Sequence, residues 1–377
     1  MPERWESMIR VLHFVSTPAV WSGVMSVIMN YYRHIDRTLV QFDFLCFSHC
    51  DNSYENEIAS YGGHVYYVKK PGSSMEAIIE LEKFFKENDG RYQWLHNHEV
   101  YLSFYLSWLA SRYDFGHLAI HSHTTCFSDK WLRARRNQIL CLPIKIMKCY
   151  RVACSKAAGD FLFGEKMIQQ NKVFILYNAI DCEKYKYNQI KRDELRHRLG
   201  VQDKLVIGHV GRFEKQKNHD FLIKSFSVLK EHYSESVLVL IGDGSLKATM
   251  ERKVRSVGLG ESVYFLGQQI NNQDWYQAMD LFWLPSLYEG LPIAAIEAQT
   301  SGLPCLLSDA VTEEVELLDT TKRISLEKGP DFWVAETLKQ QNTEKRENAW
   351  HAVEKAGFNI EYTSDALQQF YMSEGAK

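Results

Sequence analysis

The sequence predicts an α/β protein built from two Rossmann-like, doubly wound domains that face each other, with the active site in the cleft between them. Three observations lead there. Short apolar runs rich in β-formers alternate with helical segments nearly throughout the chain. Such alternation requires parallel strands joined by right-handed crossovers. The alternation pauses once, at the polar, turn-prone stretch NAIDCEKYKYN (residues 178–188), and then restarts. With 377 residues there is material for two or three hydrophobic cores. In open sheets of this kind a ligand sits at the carboxyl ends of the strands, which is why a cleft between two of them is the expected site.

In chain order, residues 9–16, 40–47, 64–68, 92–96 and 117–121 read as strands. Each is a largely apolar run, the pattern of a strand buried on both faces. Helical spacing separates them at 23–35, 54–61, 75–87 and 101–113, and strands at 151–154 and 173–177 complete the block. After the pause comes a charged helix, 191–199, closed by Gly200. The second series has strands at 205–210, 237–241, 263–266, 281–284, 305–307 and 322–325. The expected domains are therefore 1–182 and 183–357. A last amphipathic helix, at 364–372 within the terminal segment of about 358–377, carries Leu367, Phe370 and Tyr371 on one side. It either finishes the second domain or crosses back to the first.

Composition narrows the function. Hydrophobic residues are 45% and charged residues 24% of the chain, which excludes a disordered class. A net charge of −3 gives no general attraction to nucleic acid. The eight cysteines form no C-x-x-C pair, so neither a zinc ribbon nor a disulfide framework is expected, and a reducing cytoplasm fits. The opening MPERWESMIRVLHFVS places charges where a signal peptide would have its apolar core, and no apolar run is long enough to span a bilayer. A cytoplasmic protein is expected, at most touching the inner face of the membrane.

Two stretches carry the chemistry. In LPSLYEGLPIAAIEAQTSGLP (residues 284–304), Glu289 lies on the loop after a strand and Glu297 two turns into the next helix. The helix N-terminus there suits a phosphate. A carboxylate accepts two hydroxyl hydrogens at once, so a vicinal diol such as a ribose is a natural partner; a dipole-favouring Glu289 and a solvated Glu297 are the alternative. In GHVGRFEKQKN (208–218), Arg212 and Lys217 flank a loop at a strand's carboxyl end, where two cations suit a diphosphate. A solvated basic loop is the plainer option. In the first block Ser22-Gly23 opens a helix, and glycine is needed where backbone must come close to a ligand. Two histidine pairs, His96/His98 and His121/His123, end neighbouring strands. Polar lining of the cleft is preferred for them over a metal site, because no cysteine or acidic pair completes a ligand set.

Taken together, and in this order along nearly the whole chain, these segments resemble the family-4 retaining glycosyltransferases of the GT-B fold, in particular bacterial exopolysaccharide and capsule enzymes. The resemblance rests on the opening VLHFVS…SGVMSVIMNYYRHID, YNAID, GRFEKQKN, LIGDGSL and PSLYEGLPIAAIEAQTSGLP with its E-x7-E pair. It implies that Arg212 and Lys217 grip the donor diphosphate and that Glu297 holds the ribose. It also implies that Glu289 faces the donor sugar, with the backbone N–H groups of Gly290 and Leu291 beside sugar and phosphate. Gly23 would approach the phosphate, and His123 would lie near the donor sugar and acceptor. One departure is that Ser22-Gly23 stands where many relatives have Gly-Gly.

The implied reaction is transfer of a sugar, with retention, from a nucleotide-sugar (a UDP-sugar first) to a saccharide or lipid-linked saccharide in cell-surface polysaccharide synthesis. Fixed cations and helix N-termini stabilise the departing diphosphate, so neither a cofactor nor a metal ion is expected. A sugar-nucleotide epimerase of the same fold, or a nucleotide-sugar binding protein without catalysis, are the alternatives. A nicotinamide dehydrogenase is excluded because the first loop, STPAVWSGV, lacks G-x-G-x-x-G. Finally, WLRARRNQILCLPIKIMKC (131–149) interleaves basic and apolar side chains, as a helix lying on anionic lipid does, with Pro143 expected to break it. A core-packed helix with a solvated basic face is the other option.

Overall fold

The computed structural model describes residues 8–269, 271–340 and 346–375. Its contacts divide the chain into two compact units: one runs up to Tyr177 and resumes at Ile360, the other is Asn178–Asn359. Ala179, Ile180 and Cys182 are buried, and the division falls ahead of the boundary expected after residue 182. The entering and leaving segments of the second unit pair with each other, Ile180 N–H donating to the carbonyl of Phe358 at 2.9 Å.

The first unit holds a seven-stranded sheet: β1 (Ile9–Phe14), β2 (Val40–Cys46), β3 (Val65–Tyr67), β4 (Trp94–Asn97), β5 (His117–Ser122), β6 (Tyr150–Ala153) and β7 (Phe174–Ile175). Their order is β3-β2-β1-β4-β5-β6-β7 and every pairing is parallel. The second unit holds β8 (Leu205–Val210), β9 (Ser236–Ile241), β10 (Val263–Gly267), β11 (Leu281–Leu284), β12 (Cys305–Ser308) and β13 (Thr321–Ile324). They are ordered β10-β9-β8-β11-β12-β13, again all parallel. All residues of β2, β4, β9, β11 and β12 are buried, as largely apolar strands covered by helices on both faces are.

In each sheet the strand order reverses direction once, between β1 and β4 and between β8 and β11. Crossovers leave to opposite sides at such a point, so the loops at the carboxyl ends diverge and open a crevice. The loops after β8 and β11 contain Arg212, Lys217 and Glu289; those after β1 and β4 contain Gly23 and His98.

Two expected elements differ in detail, and a third breaks at Pro143 as expected. The helix that carries Glu297 spans Ile293–Thr300, beginning only after Pro292, its extended cap (φ −72°, ψ 110°). A proline disfavours helical backbone in the residue before it, so Leu291 stays outside. Pro143 ends the helix Trp131–Cys141 in a 3-10 turn, Leu142–Lys145. The last helix is longer than expected, Ile360–Gly375, and belongs to the first unit. There Leu367 and Tyr371 are buried and Phe370 stacks on Phe174 at 4.9 Å. No helix among the described residues is long and apolar enough to cross a membrane.

Candidate active site

In the second unit, β8 runs into Gly211, where an added Cβ would meet the Nε2 of His209 at 2.9 Å and the Lys217 stem at 3.2 Å. Only glycine lets the chain pass there. Arg212 follows, exposed and with no ion pair among the described residues. After the 3-10 turn Lys215–Lys217, Asn218 takes left-handed backbone (φ 54°) and opens the helix His219–His232. That turn aims Lys217 at the neighbouring loop: its Nζ lies 2.6 Å from Glu289 Oε1, with side chains only 14% and 8% exposed. Gln216 Nε2 donates to Glu289 Oε2 at 3.1 Å and to the carbonyl of Tyr288 at 3.0 Å, and Leu287 N–H donates to the Gln216 carbonyl at 2.8 Å. The two loops are thus laced into one surface. Gly290 and Leu291 are buried just ahead of the Ile293–Thr300 helix, and the Leu291 carbonyl accepts from Asn178 Nδ2 at 2.6 Å. Behind the loop, burial pushes His209 down to about 4 and His219 to about 2, so both stay neutral beside Lys217.

Glu297 has other partners. It is buried, and its two oxygens accept the phenols of Tyr185 and Tyr276, each at 2.7 Å. Burial raises its pKa, and the two phenol hydrogen bonds pull the other way. The structure therefore gathers Arg212, Lys217, Glu289, Gly290 and Leu291 at one switch point and seats Glu297 on two tyrosines. A carboxylate retains lone pairs beyond those two bonds, so a ribose could share it only by joining this tyrosine pair.

In the first unit Ser22 caps the helix Gly23–His34, its Oγ accepting from Met25 N–H at 3.4 Å. A Cβ at Gly23 would meet nothing within 4 Å. His123 follows β5. Its Nε2 lies 2.7 Å from His98 Nδ1, and His98 Nε2 lies 3.0 Å from His13 Nδ1. The rings of each H-x-H pair fall on one side: His96 and His98 stack at 4.5 Å, His121 and His123 lie 3.9 Å apart.

Comparison with known proteins fits this geometry. The family model for glycosyl transferases group 1 matches residues 191–337, the span that holds Arg212, Lys217, Glu289, Gly290, Leu291 and Glu297. The chain is 35% identical over 374 residues, 97% of both chains, to a protein of Bacillus subtilis named as the glycosyltransferase EpsF. The chain belongs to the group 1 glycosyltransferases. It is also 28% identical over 242 residues, 62% of each chain, to the Escherichia coli UDP-Gal:alpha-D-GlcNAc-diphosphoundecaprenol alpha-1,3-galactosyltransferase. Among solved structures, Anabaena HepE with UDP and glucose superposes with a TM-score of 0.77 at 16% identity, covering 97% of this chain and all of that one. WaaG, a glycosyltransferase of lipopolysaccharide biosynthesis, gives 0.74 at 14% identity over 96% and 99% of the two chains. These likenesses establish the GT-B fold.

Four residues of this glycosyltransferase escaped the sequence reading. Gln216 sits inside GRFEKQKN, yet nothing in that string says its amide bridges two loops. Tyr185 and Tyr276 are 112 and 21 residues from the glutamate they hold. His13 is flanked by apolar residues in β1, but its strand register sets it directly opposite His96.

Proposed function

We propose that this glycosyltransferase transfers a sugar from a nucleoside-diphosphate sugar, a UDP-sugar first, to a saccharide or lipid-linked saccharide of a cell-surface polysaccharide. Retention of configuration and independence from metal ions are part of the reading. The observation that carries it is the Lys217–Glu289 pair beside exposed Arg212 at the β8/β11 switch point. Breaking the sugar–phosphate bond places negative charge on the departing diphosphate. Arg212, Lys217 and the N-terminus of the Ile293–Thr300 helix supply fixed positive charge for it. Glu289, held by Lys217 and Gln216, is oriented toward the sugar hydroxyls, with Gly290 and Leu291 beside sugar and phosphate. Glu297 meets the ribose alongside Tyr185 and Tyr276. On the first unit, Gly23 approaches the phosphate and His123 the sugar and acceptor. The acceptor attacks from the face the diphosphate leaves, and a phosphate oxygen takes its proton, so no protein nucleophile is required. HepE is described in complex with UDP-glucose, which supports the donor class.

The finer reading of the partner is an acceptor at the inner face of the cytoplasmic membrane. The segment after β5 sends only Cys141 and Ile144 into the core and leaves most of its other apolar side chains exposed. Trp131 is 70% and Ile146 89% exposed, with Leu132, Ile139 and Leu142 also exposed among Arg133, Arg135, Arg136, Lys145 and Lys148. The packed neighbouring helices add exposed Phe104, Trp108, Met75 and Ile79. Large apolar side chains set among cations match an anionic lipid surface. The decisive experiment is a panel of UDP-, GDP- and ADP-sugars scored by thermal shift and by release of the nucleoside diphosphate with and without a lipid-linked acceptor. Turnover without acceptor and without hydrolysis would favour an epimerase; binding without any turnover would remove the enzyme reading.

A further inference from the structure

We infer that His98 and His13 are positioning residues for His123: the hydrogen-bonded file His13–His98–His123 keeps His123 a neutral ring protonated at Nδ1, so that it donates to a substrate oxygen and does not act as a base. This rests on the reading that His123 meets the sugar or the acceptor.

The file has two links, His13 Nδ1 to His98 Nε2 at 3.0 Å and His98 Nδ1 to His123 Nε2 at 2.7 Å. A neutral imidazole has one donor and one acceptor nitrogen. The middle ring uses both, so all three tautomers change together and the file runs in one of two directions. In one, each ring carries its proton on Nδ1; in the other, each carries it on Nε2.

The far end decides between them. His13 is 2% exposed, and its Nε2 has no hydrogen-bond partner among the described residues. The small cavity beside it is walled mainly by Val27, Ile28, Phe42, Leu176 and Leu367, with Tyr31 and the rings of His96, His98 and His121 completing it. The Nε2 direction strands an N–H in that apolar wall, whereas the Nδ1 direction leaves only a lone pair there. Buried orphan N–H groups are the rarer of the two in folded proteins. The Nδ1 direction follows, and it leaves the His123 Nδ1–H outside the file, where no described protein group takes it.

The surroundings keep the file uncharged. The titratable groups facing it are His96 and His121, with Tyr371 behind: His96 Nδ1 is on the Tyr371 hydroxyl at 2.5 Å, and neither nitrogen of His121 has a described partner. Burial pushes His13 and His123 down to about 3 and His98 well below its ordinary value, with the neighbouring histidines adding to it for His98. A shared metal ion is disfavoured by the same distances. Two triads, His13/His96/His98 and His98/His121/His123, bring ligand atoms within 4.8 Å, but each hydrogen bond consumes a lone pair that an ion would need. The His98 and His123 rings also meet edge to edge, their planes 27° apart and their centroids 5.0 Å apart, as a ring-to-ring hydrogen bond requires.

The test is the ring-nitrogen NMR spectrum of full-length protein labelled with 15N-histidine, recorded from about pH 5 to 8, the range in which an ordinary histidine titrates. His123 is assigned by His123→Asn. The expected spectrum shows His123 protonated at Nδ1, bare at Nε2 and not titrating. His98→Gln, whose amide again offers one donor and one acceptor, keeps that signature. His98→Leu gives a mixed tautomer and lowers kcat about tenfold or more with KM for the nucleotide sugar within about twofold. A His123 proton on Nε2 in the wild type, an unchanged tautomer in His98→Leu, or zinc that copurifies and whose removal alters the spectrum would each overturn the inference. The spectrum decides this without any turnover, so a failed donor panel and a failed file are separate results.

Discussion

Arg212 and Lys217 stand five positions apart in opposite electrostatic situations, and the difference is testable one residue at a time. Lys217 is half-buried against the buried Glu289, whereas Arg212 is exposed. Removing either cation should weaken nucleoside-diphosphate binding by about 1.5–3 kcal/mol, the range for a charge-assisted contact. Only Lys217→Ala should also destabilise the fold, by about 3 kcal/mol, because it strands a buried carboxylate. Titration with UDP and a thermal melt read the two effects; normal UDP affinity in both variants would sink the diphosphate assignment. Glu289→Gln should lower turnover more than nucleotide affinity if, as proposed, its partner is the sugar. Glu297 differs again. Its folded pKa is raised by burial, so the native state holds the proton longer than the unfolded chain. The contribution of Glu297 to stability is therefore greatest below about 4.5 and declines as pH rises through the folded value, on top of the opposite trend from the buried histidines. Glu297→Gln should remove that decline, and denaturant midpoints from pH 4 to 8 that run parallel in both proteins would refute it. The second glutamate of the E-x7-E pair was legible in the sequence, but its tyrosine partners were not, because a hydrogen bond across 112 residues leaves no local pattern.

At the scale of elements, the ends of β1, β4 and β5 concentrate buried histidine. His13, His96 and His121 are each 2% exposed or less and neutral in the fold, with pKa values lowered by burial. In the unfolded chain they regain ordinary values near 6.5. The unfolded state then binds more protons below that pH, so stability present at neutral pH is lost on acidification, by about 1.4 kcal/mol per pH unit for each ring. Unfolding midpoints compared at pH 7.5 and 5.5, with His13→Phe as a shallower control, measure this. The helix Trp131–Cys141 and its following turn make the second element-scale prediction. Sedimentation with anionic liposomes should be strong at low salt, weaker at high salt and abolished by Ile146→Glu with Trp131→Glu. Absence of binding at low salt, with full activity on a water-soluble acceptor, would leave no lipid role for this face. The sequence showed the mixed basic and apolar composition of the segment. Which way its apolar side chains point depends on the fold, since a helix this regular could equally have lain against a core.

For the whole molecule, the chain enters the second unit once and returns, so the first unit is completed only by the last helix. Tyr371 closes it, accepting from Trp94 Nε1 at its carbonyl (3.1 Å) and reaching His96 with its hydroxyl. Ending the chain after Asn359 should therefore abolish the unfolding transition of the first unit and leave that of the second. The surviving transition should still shift upward with UDP, because a ligand that binds only folded protein stabilises it by mass action. A truncated chain that melts like the full one would show that the helix is dispensable. Two such units also make a single unfolding free energy ill-defined, so calorimetry should resolve two transitions.

The fold class was determined by the sequence alone. Largely apolar runs separated by helical periods allow little besides parallel strands with crossovers, and the Pro, Gly and Asn residues that end the elements act within a few positions of themselves. The loop residues Arg212, Lys217 and Glu289 were legible for the same reason: a strand's carboxyl end followed by a helix is a local feature, and it is where such sheets bind ligands. Tertiary structure alone decided what those residues touch. Strand order placed the β8 and β11 loops side by side and so paired Lys217 with Glu289 across 72 positions. Strand register set His13 opposite His96 and brought it to His98. The destination of the last helix was likewise open, because an apolar face specifies that it will be buried but not against which sheet.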